Sequence, residues 1–391
     1  MKTLKDFNVK NKRVLVRCDF NIPLNSKGNI LDSFRIQKAI PTIKYLIKNK
    51  AKIILMSHLG SPEGEVVEGL KMTPVQKKLT EILGFPVMKT SDCIGEEVEK
   101  QILAMSQGEI LILENLRFHK EEESNDSKFA EELAKLGDIY INEAFGVCHR
   151  KHASIVNVPK HLPSGAGFLL EEEVKVLSEV LEKPKKPLVA VIGGVKIESK
   201  IKVIEEFLKK ADHLLIGGKI ANIILTIKGI CIGRPWPSED IVNTVESFEL
   251  TSTKLHLPID TIVSSDKAGE GYIRESAAAR VRKDELILDI GPETINIFSA
   301  IIKEAKTIIW SGPIGFFENP LFEKGTKKIA EEIAKNHQAY KIIGGGDTLF
   351  AISKFGLRDK FDHISTGGGA MLSFLSKEKL PGLKILEKNA F

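Results

Sequence analysis

Long apolar runs are missing from this 391-residue sequence. The longest, Leu214 to Leu225, is broken by Lys219 and is too short to span a bilayer, so no membrane partner is expected. The opening, MKTLKDF, lacks the apolar core and small-residue cleavage site of a secretory leader. Cysteine is scarce. Cys18, Cys93, Cys148 and Cys231 are scattered and form no CxxC pair, which points to reduced thiols in a cytoplasmic protein. Aromatic residues are only 6%, and there is no basic tail. With 57 basic against 52 acidic residues, interleaved to a net +5, nucleic acid is not an expected partner. Two nucleotide fingerprints are also absent. No GxxxxGK[ST] occurs, and no GxGxxG follows a strand. The nearest approach, Gly165-Ala166-Gly167, runs into Phe-Leu-Leu-Glu and argues against a nicotinamide cofactor.

What is present has the balance of a globular protein: 42% apolar and 28% charged residues, with no low-complexity tract. Short β-branched runs alternate with helical periods. Arg13–Cys18, Lys52–Met56, Glu109–Leu113 and Asp138–Asn142 read as one set of strands. Leu188–Ile192, His213–Ile216, Thr261–Val263, Leu286–Ile290, Thr307–Trp310, Lys341–Ile343 and His363–Ser365 read as a second. Thr73-Pro74 predicts a helix start and Gly84 its stop, while Asn125/Asp126 and Gly137 bracket another helix. After Gly193-Gly194, a helix with Ile201, Ile204 and Leu208 inward is expected. Nearly continuous apolar strands separated by helices indicate parallel sheets covered on both faces. The fold class is therefore α/β, with two doubly wound parallel-sheet domains. The charged helical period Glu171–Lys183, ended by Lys183-Pro-Lys-Lys-Pro187, reads as the linker between them.

The chemistry concentrates at strand ends. In the second half, Gly193-Gly194, Gly217-Gly218, Gly291, Gly312, Gly344–Gly346 and Gly367–Gly369 follow strands. Glycine lets backbone approach a ligand, and the following helix offers free N–H groups to an anion. Asp347 after Gly344–Gly346 is either a hard ligand for Mg²⁺ on nucleotide phosphates or a helix N-cap. Lys196 and Lys200 are spaced i, i+4. If the helix begins there, both cations sit at its unfavourable end, a conflict that a bound anion would resolve.

The first half instead carries Arg17, Asp19, Asn21, Arg35, His58, Arg117, His149, Arg150 and His152 in or after its strands. Each alone reads as a solvated surface charge. Several arginines converging would bind a small polyanion bidentately. The run Cys148–His152 lacks further ligands and is not read as a metal site.

Taken together, the motifs resemble the phosphoglycerate kinase family. The matching stretches are Val16–Pro23, Ser57–Gly60, Leu113–Phe118, Glu143–Gly146, His149-Arg150, His152–Ser154, and Gly193–Lys196 with Lys200. They continue with Asp289–Pro292, Gly312–Glu318, Gly344–Thr348 and Ser365–Ala370, in family order. The resemblance implies a 3-phosphoglycerate domain over residues 1–169, a helical hinge over 170–187 and a nucleotide domain over 188–376. Residues 377–391 would return to the first domain. It implies Mg-dependent phosphoryl transfer between 1,3-bisphosphoglycerate and ADP, giving 3-phosphoglycerate and ATP, by a cytoplasmic monomer. Arg35 and Lys196 would be catalytic. Asp19, Asn21, Arg35, His58, Leu59, Gly60, Ser61, Arg117 and Arg150 would contact the glycerate substrate. Lys200, Gly218, Glu318, Gly345, Gly346, Asp347 and Thr348 would hold the nucleotide, with Asp347 on the metal. Four positions depart from the family pattern. Ser61 stands for a usual arginine, Ser311 for asparagine and Glu143 for aspartate, and Lys219 replaces a small or apolar residue. The alternative is a catalytically silent ligand-binding protein of the same fold.

Overall fold

The computed structural model describes residues 1–230, 238–246 and 252–388, with only the backbone of Glu198, Ser199 and Thr244. Cys231 and residues 389–391 lie outside the described residues. The chain forms two compact units. Unit 1 is Met1–Lys175 together with the segment from Lys379 onward, and unit 2 is Val176–Glu378. The first crossing falls inside the helix Phe168–Glu182.

Unit 1 is built on a six-stranded parallel sheet. Its strands are β1 (Arg13–Cys18), β2 (Lys52–Met56), β3 (Met88–Lys89), β4 (Ile110–Ile112), β5 (Ile139–Glu143) and β6 (Ser164–Ala166), in the order β3-β4-β2-β1-β5-β6. One face presents Val14, Val16, Ile53, Leu55, Ile110, Ile112 and Ile141 to Ile36, Ile40 and Ile43 of the helix Phe34–Lys48. The opposite face carries Leu15, Ile54, Leu111 and Tyr140, equally buried. Burial on both faces is why these strands read as unbroken apolar runs. The helix after β2 spans Thr73–Leu83, so Met72, not Thr73, is its cap residue, and no side chain caps it. Gly84 ends it in the left-handed region (φ 76°), as expected. Asp126 caps the helix Ser127–Lys135 by accepting from Phe129 N–H at 2.9 Å. The helix Pro381–Lys388 packs on unit 1, where Gly382 lies against Cys148 and Ile155.

Unit 2 holds a second six-stranded parallel sheet. Its strands are β7 (Leu188–Ile192), β8 (His213–Ile216), β9 (Leu255–His256), β13 (Thr307–Ser311), β14 (Tyr340–Gly344) and β15 (His363–Ile364), in the order β15-β14-β13-β7-β8-β9. Two expected parallel strands belong elsewhere. β10 (Asp260–Ser264), β11 (Ile273–Ala277) and β12 (Leu286–Ile290) form a separate antiparallel sheet, β11-β10-β12. The sequence hid this because β11, IRESA, is largely exposed and carries no apolar run. Glu285 ties that sheet together by accepting from Arg274 Nε at 2.8 Å and Tyr272 Oη at 2.9 Å. The helix after β7 runs Glu198–Lys210 and buries Val203, Ile204 and Phe207, while Ile201 and Leu208 stay half-buried. Of the expected inward residues only Ile204 is fully buried, because the stripe Val203, Ile204 and Phe207 faces the core instead.

Candidate functional site

In a parallel sheet, ligands meet the carboxyl ends of the strands. The central strands of unit 1 end in Cys18-Asp19 (β1), Met56-Ser57-His58 (β2), Ile112–Asn115 (β4) and Glu143 (β5), so the topology alone gathers the expected residues.

Asn21 Oδ1 accepts from Gly60 N–H at 2.9 Å, and Asn115 clasps Leu59 through both its carbonyl oxygen and its N–H. The turn Leu59-Gly60-Ser61 is thereby fixed against β1 and β4. Arg35 donates to Asp19 Oδ1 at 3.2 Å and to the Asn21 carbonyl at 2.8 Å. Arg117 donates to the Gly60 carbonyl at 2.7 Å and to Ser61 Oγ at 3.2 Å, and lies 3.1 Å from Glu123. Its Nη2 makes the ion pair with Glu123, and its Nε is buried without a hydrogen-bond acceptor. A cation held side-on by protein, with donors left over, is arranged to receive an anion.

The arginines act on common neighbours. Burial first, then the charges of Arg17, Arg117, Arg35 and Arg150, hold His58 well below the ordinary imidazole range. Burial, then Arg17, Arg117, Arg150 and His149, push His152 down to about 3. Both imidazoles therefore stay neutral at pH 7. The field they sense is that of converging guanidinium groups.

Arg17 belongs to the arginine set read from the sequence, but the family resemblance gave it no role. It is buried, donates to Ser154 Oγ at 2.7 Å and to the Cys18 carbonyl, and lies 3.7 Å from buried Glu122. Glu122 in turn accepts from Ser154 N–H and Oγ. The available signal was a charge inside the apolar strand RVLVRC. Glu143 is separate from this cluster. It is buried, accepts from Leu169 N–H at 3.1 Å at the start of the helix Phe168–Glu182, and burial pushes it up to about 8.

Unit 2 brings together a different kind of site. Its strand ends are glycines packed backbone to backbone. A Cβ at Gly193 would lie 2.1 Å from the Pro313 carbonyl oxygen, and one at Gly218 (φ +62°) would lie 2.7 Å from Gly194 N. Lys200 lies buried in this cradle and donates to the Gly193 carbonyl. Burial pulls it down to about 8, with Asp347 opposing the fall and Lys196 adding to it. Lys196 itself is exposed and precedes the helix, so the two lysines do not share a helical face.

Gly345 (φ 102°) is the cap of the helix Gly346–Lys354, with no side chain on its first N–H groups. Asp347 lies inside the first turn, exposed, and so is not the N-cap. Thr348 is buried. Its hydroxyl accepts from Gly312 N–H at 2.7 Å and donates to the Gly344 carbonyl at 3.1 Å, which ties the helix start to the end of β13. A cavity of ≈ 290 Å³ is lined by Gly194, Gly218, Lys219, Asn222, Leu288, Pro313, Glu318 and Asp347, with Asn222 unforeseen from the sequence. Asp289 borders it, held by the N–H groups of Gly325 and Ile290, and burial pushes it up to about 7.

Comparison with known proteins settles the class. The family model described as phosphoglycerate kinase matches residues 4–378. The chain belongs to the phosphoglycerate kinase family. It is 46% identical to a phosphoglycerate kinase of Dictyoglomus turgidum over 98% of each chain. It is 45% identical to one from Borrelia garinii, over 99% of this chain and all of the relative. The solved phosphoglycerate kinase of Coxiella burnetii superimposes with a TM-score of 0.87 at 37% identity, covering both chains fully. That of Pyrococcus horikoshii gives 0.86 at 32% identity, over 100% and 99% of the two chains. The activity of this family is phosphoryl transfer to a carboxyl group, and these findings give the silent-protein alternative no support. No helix among the described residues is long and apolar enough to cross a membrane.

Proposed function

We propose that unit 1 binds 3-phosphoglycerate or 1,3-bisphosphoglycerate in its arginine pocket, and that unit 2 binds Mg-ADP or Mg-ATP in its glycine cradle. The observation that carries this reading is the set of Arg17, Arg117, Arg35 and Arg150 around His58, a cluster of guanidinium groups suited to a multiply charged anion. Arg117, Arg150 and His58 would hold the substrate anion, with the Leu59-Gly60-Ser61 turn as its floor and Asp19 and Asn21 setting the rim. Arg35, already oriented by Asp19 and Asn21, would face the moving phosphoryl group.

On the other side, the nucleotide phosphates would take the N–H groups of Gly346, Asp347 and Thr348, with Gly218 and Gly345 admitting close approach. Lys200 would recover full charge against them, and Glu318 at the cavity edge suits the ribose hydroxyls. The donor set fits Mg²⁺. Asp347 is an exposed oxygen donor at a helix start, and Mg²⁺ is bound by one or two carboxylates plus phosphate oxygens. When bound, the ion neutralises charge on the phosphates.

Phosphoryl transfer needs in-line oxygens and stabilisation of charge on three equatorial oxygens, with little covalent help. Lys196 and Arg35 are assigned to that charge, and the reaction requires the two sites to face each other in the reacting state. Water must be excluded there, because it would hydrolyse the acyl phosphate. A cytoplasmic monomer without nucleic-acid or membrane partners is what the family resemblance leads us to expect.

The test is turnover of 3-phosphoglycerate with ATP, coupled to detection of the acyl phosphate, with and without Mg²⁺. Turnover that requires the metal is expected. No turnover with either would overturn the reading.

A further inference from the structure

Away from both sites, unit 1 places three different metal-binding side chains together. Asp92 and Cys93 lie on the loop after β3, and His119 follows the turn Leu116–Phe118 that carries Arg117. One carboxylate oxygen, the thiol sulfur and one ring nitrogen all lie within 4.8 Å of one another. We propose that Asp92, Cys93 and His119 form a binding site for a borderline-soft divalent ion of the zinc class, with three protein ligands and one open position.

The donor chemistry selects the ion. A thiolate, an imidazole and a carboxylate suit zinc-class ions and are foreign to Mg²⁺, which prefers oxygen donors. This separates the site from Asp347 in unit 2. Bond lengths of about 2.0–2.3 Å around a tetrahedral ion bring donors to roughly 3.5 Å apart, so closing the site takes about an ångström of side-chain movement.

The surroundings already orient the ligands. Asp92 Oδ1 accepts from Cys93 N–H at 2.6 Å and pairs with His119 Nε2 at 2.7 Å. The His119 ring stacks on Phe129 at 5.3 Å, which fixes its plane. Thr90 Oγ1 donates to the Asp92 carbonyl, pinning the loop. Cys93 is buried as the floor, while Asp92 and His119 are open to solvent at the rim, which gives the ion a way in.

The thiolate, not the thiol, is the ligand, so Cys93 would lose its proton on binding the ion. On binding, the ion forms bonds to sulfur, nitrogen and oxygen. The thiol proton goes to solvent, the proton on His119 Nε2 leaves to solvent with Nδ1 keeping or taking up the ring's one remaining N–H, and the hydrogen bond between His119 and Asp92 gives way to the two metal bonds.

Such a site would join the loop of residues 90–93 to the segment holding Arg117 and its partner Glu123. It would brace the arginine pocket from behind without touching substrate.

The test is Co²⁺ titration of the intact protein, read by the thiolate-to-cobalt absorption band, with Zn²⁺ competition. One band-forming equivalent displaced by Zn²⁺ is expected, lost in Cys93→Ser. In His119→Gln, which keeps a side chain able to hydrogen-bond Asp92, the band should weaken or vanish while thermal unfolding without metal is unchanged. Zn²⁺ should raise the unfolding temperature of the parent and not of His119→Gln. No thiolate band in the folded parent, or a band that survives both substitutions, would overturn the proposal.

Discussion

On the proposed reading, the two units answer the same problem, holding an anion, with opposite materials. Unit 1 uses long cationic side chains locked by its own acids, Arg35 on Asp19 and Arg17 beside Glu122. Unit 2 removes side chains, so that backbone N–H groups at Gly345–Thr348 can be approached, and keeps one lysine partly stripped of water. A guanidinium fork matches a compact polyanion and discriminates by geometry. A glycine cradle follows a chain of phosphates and tolerates little bulk in the protein. Damage to the first should therefore act through charge, and damage to the second through shape.

The strongest test of that contrast is Lys196→Ala. It should cut kcat by about 10²–10³ while nucleotide still binds, as expected for loss of one charge that acts in the transition state. Steady-state kinetics with a separate nucleotide titration would check it, and an unchanged kcat would remove Lys196 from the chemistry. Next in size is Gly218→Ala. Its φ of +62° and the 2.7 Å approach to Gly194 N leave no room for a Cβ. Strain of about 1–3 kcal/mol should weaken nucleotide binding by roughly 5- to 150-fold and leave 3-phosphoglycerate affinity alone. Calorimetric titration of each ligand separates the two, and equal losses for both ligands would erase the distinction between the units.

The third test uses protons. Lys200 is lowered to about 8 from an ordinary 10.5, so between these values the unfolded chain holds the proton more tightly than the fold. The group's contribution to stability is therefore full above about 10.5 and is lost as pH falls through 8. Bound phosphates reverse the shift, so nucleotide binding near pH 8 should take up about half a proton. Titrations in two buffers of different ionisation enthalpy would show it. Lys200→Met should abolish the uptake, and uptake that persists there would assign it elsewhere.

The smallest effect concerns unit 1. Ser61→Arg restores the cation that the family usually has, and should tighten 3-phosphoglycerate by about tenfold, the equivalent of one charge-assisted hydrogen bond. No change in KM would mean that Arg117, which now donates to Ser61 Oγ, already fills that role.

Much of this was legible in the sequence because parallel strands buried on both faces announce themselves. Strands such as Leu188–Ile192 kept their expected limits, and their ends placed both sites. The antiparallel sheet was not legible, since its middle turn back through Ile273–Ala277 has exposed, mixed residues that no apolar period marks. Two details at the sites also needed three dimensions. Lys196 and Lys200 look like a helical pair, yet the helix begins between them, leaving one exposed and one buried. Arg17 looks like one more charge along the chain until Ser154 and Glu122, more than a hundred residues away, enclose it.

Unit 2 is inserted into unit 1, because the helix Pro381–Lys388 follows unit 2 along the chain and yet belongs to the unit that precedes it. During synthesis, the first unit leaves the ribosome without the piece that lies against Cys148 and Ile155, and waits while some two hundred intervening residues emerge. Its early form should be loose, and consolidation should come only once that helix has emerged.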